Sequence, residues 1–257
     1  MIVSKQINKV LVVGASGSIG RQVVAIGARA GFAIRALVRQ AVQAEVFPPD
    51  VEVAAGDLTD ASSLVRALEG IDAVVFTHGA NGRPPGPEAV DYGAVRNVLV
   101  ALRGRKVRVA LMSTVGVTDR KGAHDWKRRG ERLIRASGMP YTIVRPGWFD
   151  FNGPDQHRIV MLQGDRHHTG TPSDGVISRR QLAKILLWSL RSEAAQGKTF
   201  ELTSDVGAQQ EDLDAVAAAL EPDIPGAIDA VRDAPNMPLI GEPEHIRVEL
   251  EQVRDSF

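Results

Sequence analysis

Short apolar runs alternate with helical patterns along the first 150 residues of this 257-residue chain. The run Lys9–Val13 is almost wholly apolar and stops at Gly14, which is typical of a strand buried on both faces. Residues 19–30 then carry apolar side chains at helical spacing. The same strand–turn–helix order recurs, with further strands predicted at residues 33–38, 51–54, 73–76, 108–112 and 141–145. Six strands alternating with helices predict an α/β fold, a doubly wound parallel sheet.

The alternation stops after Phe149, and shorter elements follow. Strands are predicted at residues 159–163 and 199–202, with an amphipathic helix between them over residues 181–192. Because these elements are few, we interpret residues 151–204 as a smaller portion of the same domain.

Residues 205–257 form an acidic tail with two predicted helices, at residues 209–220 and 244–255. The tail holds 13 acidic residues and 3 arginines, which leaves 28 bases and 18 acids in the preceding 204 residues. The net charge of zero therefore hides a basic body and an acidic tail. Either the tail is solvated, or it docks on the basic body or on a neighbouring subunit.

A glycine-rich segment follows the first strand and opens the first helix. Gly14 allows a tight turn, Gly17 lets a pyrophosphate approach the backbone, and Gly20 lets the helix pack closely on the strand. Free N–H groups and the positive end of the helix dipole favour an anion at this helix start, where Ser16 and Ser18 can add hydroxyl donors. The segment predicts a dinucleotide site, the alternative being a tight turn without a ligand.

The end of the second strand indicates which nucleotide is bound. A site for NAD usually holds an acid there, but residues 21–44 contain no Asp or Glu, and Arg39 follows Val38. A guanidinium suits a 2′-phosphate, so NADP (NADPH) is favoured over NAD. The alternative is that Arg39 is a solvated surface arginine.

These features resemble the atypical short-chain dehydrogenase/reductase family, the branch of NAD(P)-binding, NmrA-like and epimerase-like proteins. The resemblance covers roughly residues 8 to 204 and rests on Gly14–Gly20, Ala36–Arg39, Gly56–Leu58, Ser113–Thr114, Tyr141–Gly147 and Ile177–Ala183. It implies a dinucleotide-binding Rossmann core at residues 1–150, a substrate-side portion at residues 151–204, and the tail at residues 205–257.

The resemblance also assigns roles along the cofactor. It implies that Asp57 and Leu58 flank the adenine, that residues 77–80 line the adenosine and ribose, and that residues 146–149 approach the nicotinamide. The expected cofactor-binding residues are Gly14, Ser16, Gly17, Ser18, Ile19, Gly20, Arg39, Asp57, Leu58, Thr77, His78, Gly79, Ala80, Lys127, Pro146, Gly147, Trp148 and Phe149.

The usual chemistry of the family needs a Tyr four residues before a Lys, and a Ser at the end of the fifth strand. Ser113 and Lys127 stand at the matching places, but the residue four before Lys127 is Ala123. Neither of the two tyrosines in the chain is an obvious substitute. His124 is a candidate proton donor, or else an exposed histidine at a helix start. Lys127 holds the cofactor ribose, or else belongs to a solvated basic face. Ser113, Lys127 and His124 are therefore the candidate catalytic residues.

The missing tyrosine shapes the functional hypotheses. Without it, reduction of an ordinary ketone is expected to be slow, because general acid catalysis typically contributes about 10²–10⁴-fold. The lead hypothesis is an NADPH-dependent reductase of a small flat organic acceptor, such as a quinone or a conjugated polyketide-like compound. The alternatives are a non-catalytic NADP-binding sensor of the NmrA-like kind and, third, a nucleotide-sugar epimerase or dehydratase.

Composition narrows the remaining possibilities. The chain has no cysteine, which excludes disulfides, thiolate nucleophiles and Cys-ligated zinc. Zero net charge argues against a nucleic-acid partner, and no apolar run is long enough for a membrane span. A cytoplasmic protein with a small-molecule substrate is expected. His167 and His168 are interpreted as a surface loop beside the substrate and not as a metal site, and residues 82–87 as a lid over the site. A homodimer is considered, either through helices 91–102 and 123–136 or through the tail, although the Arg-rich second helix argues against the first surface.

Overall fold

The protein is described by a computed structural model that covers residues 7–80 and 82–257. Within these residues, ten strands form one sheet. The strands are β1 (Lys9–Val13), β2 (Ala33–Val38), β3 (Glu52–Ala55), β4 (Ala73–Phe76), β5 (Arg108–Met112), β6 (Tyr141–Pro146), β7 (Trp148–Phe149), β8 (Arg158–Leu162), β9 (Val176–Ile177) and β10 (Lys198–Asp205). Seven run parallel in the order β3-β2-β1-β4-β5-β6-β10, while β8 and β9 pair antiparallel with β10. This confirms the predicted doubly wound α/β fold.

Helices cover both faces of the sheet. They are α1 (Ser18–Arg29), α2 (Ala61–Leu68), α3 (Gly93–Leu102), α4 (Gly122–Ala136), α5 (Arg179–Ser189), α6 (Leu213–Ala218) and α7 (Glu244–Ser256). Alternate residues of β1 point to opposite faces: Val10 and Val12 pack with α1 and α5, whereas Leu11 and Val13 pack with α2, α3, α4 and α7. Among the described residues, no helix is both long and apolar enough to cross a bilayer.

The predicted elements are present, with shifted ends. The helix expected at residues 91–102 starts at Gly93, because one wide turn over residues 88–92 precedes it. The helix expected at residues 209–220 is limited to α6, and the one at residues 181–192 starts and ends earlier as α5. The two-residue strands β7 and β9 were not predicted, since two residues carry no periodicity. The boundaries at residues 150 and 204 stay predictions.

The acidic tail packs on the body of its own chain, so the solvated alternative is wrong. Ile246, Leu250 and Val253, at helical spacing along α7, join the hydrophobic core beside α3 and α4. The Tyr92 hydroxyl donates to Glu249 Oε2 at 2.5 Å. The tail thus covers the two helices that were considered as a dimer surface.

The arginine-rich stretch before Gly138 is buried, which contradicts the interpretation as a solvated basic face. Its guanidinium groups pair with carboxylates of the tail. The arginines are Arg128, Arg129, Arg132, Arg135 and, on β6, Arg145, and the tail acids are Asp223, Asp229, Asp233 and Glu242. A buried charge is tolerated only when it is paired and hydrogen-bonded. The tail is therefore an integral part of the folded domain.

The guanidinium of Arg145 has a carboxylate partner on each of two sides. Its side chain is fully buried, and Asp233 accepts from Nη1 and Nη2 at 2.7 and 2.8 Å. Glu131 accepts from Nε and Nη2 on the other side, at 3.0 and 2.7 Å. One guanidinium thereby joins β6, α4 and the tail.

We expect Asp233→Ala to lower the free energy of unfolding by about 3–5 kcal/mol, because Arg145 loses a bidentate partner in a buried site. Urea unfolding measures the change. Glu251→Ala, on the exposed side of α7, is the control and is expected to stay within about 0.5 kcal/mol of the wild type. Equal midpoints for the two variants would contradict the structural role of the tail.

Candidate functional site

A cleft of ≈ 750 Å³ opens at the carboxyl ends of the central parallel strands. This edge of a doubly wound sheet is where such folds bind ligands. Every residue expected to bind the cofactor lines the cleft except Gly20, and the three candidate catalytic residues line it as well. The structure thus brings together, in one place, residues that the sequence distributes from Gly14 to Phe149.

The glycine-rich loop forms one wall and leaves the start of α1 uncapped. Gly14 has φ +80°, and a Cβ there would lie 2.8 Å from the backbone N of His78. A Cβ on Gly20 would lie 2.1 Å from the carbonyl O of Gly14, so only glycine allows α1 to sit this close to the loop. Gly17 precedes the helix and offers no side chain as a cap, and the first turn contains no acidic residue. The N–H groups of this turn are free to bind a diphosphate.

Arg39 lies at the end of β2, exposed at the rim of the cleft. Gln43, which the sequence analysis missed, accepts from the backbone N of Arg39 at 3.0 Å and donates to Ser16 Oγ at 3.4 Å. The next loop contributes Asp57, whose carboxylate accepts from the backbone N and the hydroxyl of Thr59 at 2.9 and 2.8 Å. These bonds, together with the charge of Arg39, lower the pKa of Asp57.

The opposite end of the cleft holds Lys127, on α4, and Ser113, which follows β5. Lys127 Nζ lies 2.7 Å from Asp91 Oδ1, and Asp91 is buried. Burial, reinforced by the charge of Lys127, lowers the pKa of His78 to about 4, so this imidazole is neutral. Buried Thr77 donates its hydroxyl to the carbonyl of Val13 at 2.9 Å and helps to fix the floor of the cleft.

No phenol reaches this end of the cleft from the described residues. Ala123 is exposed at the start of α4, four residues before Lys127. Tyr92 donates to Glu249, and Tyr141 donates to Asp223 Oδ2 at 2.9 Å, so both tyrosines are engaged with the tail. Burial raises the pKa of both hydroxyls, which makes them weaker proton donors still.

Imidazoles occupy the space beyond Lys127. His124 Nδ1 lies 2.9 Å from the carbonyl of Gly116, and His168 Nδ1 lies 3.6 Å from Asp119 Oδ1. A Cβ on Gly116 would be 3.7 Å from His124 Nδ1 and 4.0 Å from His168 Nδ1, so the two rings flank one backbone position. The loop with His167 and His168 therefore borders the cleft, as expected. Within residues 7–80 and 82–257, no group of three or more His, Cys, Asp or Glu side chains is arranged to hold a metal.

Apolar side chains close the same end. Trp148 and Phe149 line the cleft, as do Pro84 and Pro85 from the segment that was considered as a lid. Trp148 remains 37% exposed, and its ring lies edge-on to that of Phe151 with 6.2 Å between the centroids.

Residues 14–193 match the sequence model of a family described as NAD(P)H-binding. Since this match spans more than half of the chain, the protein belongs to the NAD(P)H-binding family. The match confirms the resemblance predicted from the sequence. The protein is an atypical short-chain dehydrogenase/reductase and an NAD(P)-dependent oxidoreductase.

Several named proteins are similar to this chain at low identity. The chain is 29% identical over 216 residues to the NAD(P)H azoreductase of Xenophilus azovorans, covering 82% of this chain and 72% of the relative. It is 31% identical over 219 residues to the chloroplastic TIC 62 protein of Pisum sativum, covering 71% of this chain but only 40% of that longer protein. A solved structure, a putative NAD-dependent epimerase/dehydratase from Bacillus halodurans, superposes with a TM-score of 0.67 at 25% identity, over 83% of this chain and all of that one.

We expect Gly20→Ala to weaken NADPH binding at least tenfold, because its methyl group would push α1 off the loop that forms the diphosphate cradle. Fluorescence titration measures the affinity, and a thermal melt shows whether the variant is folded. Gly122→Ala is the matched control, since a Cβ there meets nothing within 4 Å. Unchanged affinity in Gly20→Ala would contradict the diphosphate role of this loop.

Proposed function

We propose that the protein is an NADPH-dependent reductase of a small flat acceptor, a quinone or another conjugated ring system. The single observation that supports this best is a cleft end that combines Lys127 and an aromatic wall with no phenol in reach. The bound nicotinamide would supply a hydride. Everything else must come from side chains of this chain.

The absence of a phenol favours acceptors that need little help from an acid. A ketone becomes a strongly basic alkoxide when it takes up hydride, and an enzyme normally protonates it as it forms. A quinone spreads the new charge over its ring and becomes a much weaker base. Trp148, Phe149 and the prolines of residues 84–85 provide the flat apolar surfaces that such a ring packs against.

Lys127 and Ser113 are proposed to orient the reacting groups. The buried carboxylate of Asp91 fixes the Lys127 ammonium, which can then donate to ribose hydroxyls at the nicotinamide end. Ser113 lines the cleft at the end of β5 and can donate to the acceptor oxygen.

His124 is proposed as the proton donor. When its Nδ1–H donates to the carbonyl of Gly116, Nε2 remains available to hold the proton that is transferred. His168, paired with Asp119, flanks the same loop and can replace that proton from solvent. Neither histidine needs a metal for this role.

Purified protein is expected to oxidise NADPH with quinones much faster than with simple ketones or aliphatic aldehydes, because the reduced quinone needs little protonation in the rate-limiting step. Absorbance of the reduced nicotinamide measures the rate. Efficient turnover of a simple ketone would show that an effective acid was overlooked.

In the same assay, His124→Gln should lower kcat only several-fold, because the reduced quinone needs little protonation, while the dissociation constant for NADPH is unchanged. His157→Gln, an exposed histidine outside the cleft, is the control. Equal kcat in the two variants would exclude His124 as the donor.

A preference for NADPH is proposed from the position of Arg39. We expect the wild type to bind NADPH more tightly than NADH, and Arg39→Ala to weaken NADPH by about 10–100-fold with little effect on NADH. Calorimetry measures both constants. Arg29→Ala, at the far end of α1, is the control. Equal affinities of the wild type for the two coenzymes would overturn the assignment.

The missing phenol also favours one alternative, a non-catalytic NADP sensor of the NmrA-like kind. Tight NADPH binding without oxidation by any acceptor, together with a co-purifying protein, would support the sensor. An epimerase or dehydratase ranks below both, since that chemistry also normally uses the tyrosine. A small-molecule substrate, a cytoplasmic location and the absence of a nucleic-acid or membrane partner stay predictions, as does a homodimer.

A further inference from the structure

Arg179 connects the two walls of the cleft at the phosphate loop. It is the first residue of α5, and its Nε donates to Ser18 Oγ, in the first turn of α1, at 3.2 Å. Its guanidinium carbon lies 5.1 Å from the ring centroid of Phe149, on the nicotinamide side. One cationic side chain from the substrate-side portion therefore spans from the diphosphate cradle to the aromatic wall.

The present partner of this guanidinium is replaceable. Arg179 Nη1 contacts the carboxylate of Asp150, and the two side chains are 38% and 46% exposed. Exposed ion pairs of this kind contribute little free energy. Asp150 Oδ1 also accepts from the backbone N of Arg179 at 3.0 Å, so the carboxylate keeps a partner when the guanidinium moves.

The charge distribution around the phosphate loop also favours a contact between Arg179 and a bound anion. The first turn of α1 offers uncapped N–H groups with no acidic side chain nearby on the helix, and Ser18 belongs to that turn. An anion bound there would lie next to a guanidinium that already donates to Ser18. Arginine suits this task because its planar fork can donate two parallel hydrogen bonds to phosphate oxygens.

We propose that Arg179 binds the diphosphate of the cofactor, leaving Asp150 to the start of α5 and fastening the substrate-side portion over the phosphate loop. The proposal rests on NAD(P) binding and not on the identity of the acceptor. The proposal assigns different phosphate groups to the two arginines. Arg179 binds the diphosphate, which NADPH and NADH share, whereas Arg39 binds the 2′-phosphate.

The test is a set of dissociation constants measured by calorimetry without any acceptor. Arg179→Gln is expected to weaken NADPH and NADH by the same factor, about tenfold, and to weaken ADP similarly. It should leave 2′-AMP unchanged, since that nucleotide has no diphosphate. Arg39→Ala should show the opposite pattern, a loss for NADPH and 2′-AMP only.

Two further variants keep the outcome interpretable. Arg180→Gln removes the exposed neighbouring charge and should bind every ligand like the wild type. Asp150→Asn removes the competing carboxylate and should tighten NADPH and NADH several-fold. Thermal melts check that each variant is folded.

Two results would overturn the proposal. The first is that Arg179→Gln folds and binds NADPH and NADH with dissociation constants within twofold of the wild type. Arg179 would then serve only in its contact with Asp150. The other is a loss confined to NADPH, which would place the guanidinium at the 2′-phosphate. If the wild type binds both coenzymes but reduces no acceptor, the proposed reductase activity is refuted. The dissociation constants of the Arg179 variant would still test the role of Arg179 in that case.

Discussion

Four guanidinium groups, those of Arg128, Arg132, Arg135 and Arg145, lie inside this protein and are each at most 5% exposed. Water cannot stabilise them there, so carboxylates must. Most of those carboxylates come from the tail, whose helix α7 also adds apolar side chains to the core. The basic body and the acidic tail therefore pair with each other inside one folded domain. The tail also covers α3 and α4.

The same network extends to the cleft. Burial would raise the pKa of Glu131, but Arg145 and Arg135 outweigh it and lower the pKa to about 2, with a further contribution from Ser113. Ser113, which lines the cleft, thus lies near the negative charge of Glu131. On the far side of Arg145, burial raises the pKa of Glu201 to about 8, although Arg145 opposes the shift. That carboxyl is protonated at neutral pH in the folded protein but ionised in the unfolded chain, so stability falls as pH rises from about 4.5 to about 8 and levels off once Glu201 itself has lost its proton.

The sequence predicts the sheet and the phosphate loop well because both depend on local patterns. Apolar runs that end at glycine mark the buried strands, and three glycines at fixed spacing mark the loop. It predicts the surroundings of the cleft less well. Gln43 and Arg179 reach the site from turns and helix starts that carry no periodic signal, and His168 approaches His124 only through the fold. The burial of Arg128–Arg135 was missed because a run of charges predicts a solvated face unless its partners, about a hundred residues away, are known.

The two tyrosines show how the tail and the chemistry of the cleft are connected. A phenol beside the nicotinamide would be the usual acid, yet Tyr92 and Tyr141 both donate to carboxylates of the tail, Glu249 and Asp223. Their pKa values are raised by burial and by those negative charges, so neither can serve as an acid near neutral pH. In the reductase proposed above, proton delivery would then fall to His124 and solvent, and acceptors that form weak bases on taking up hydride, such as flat conjugated rings, would be favoured.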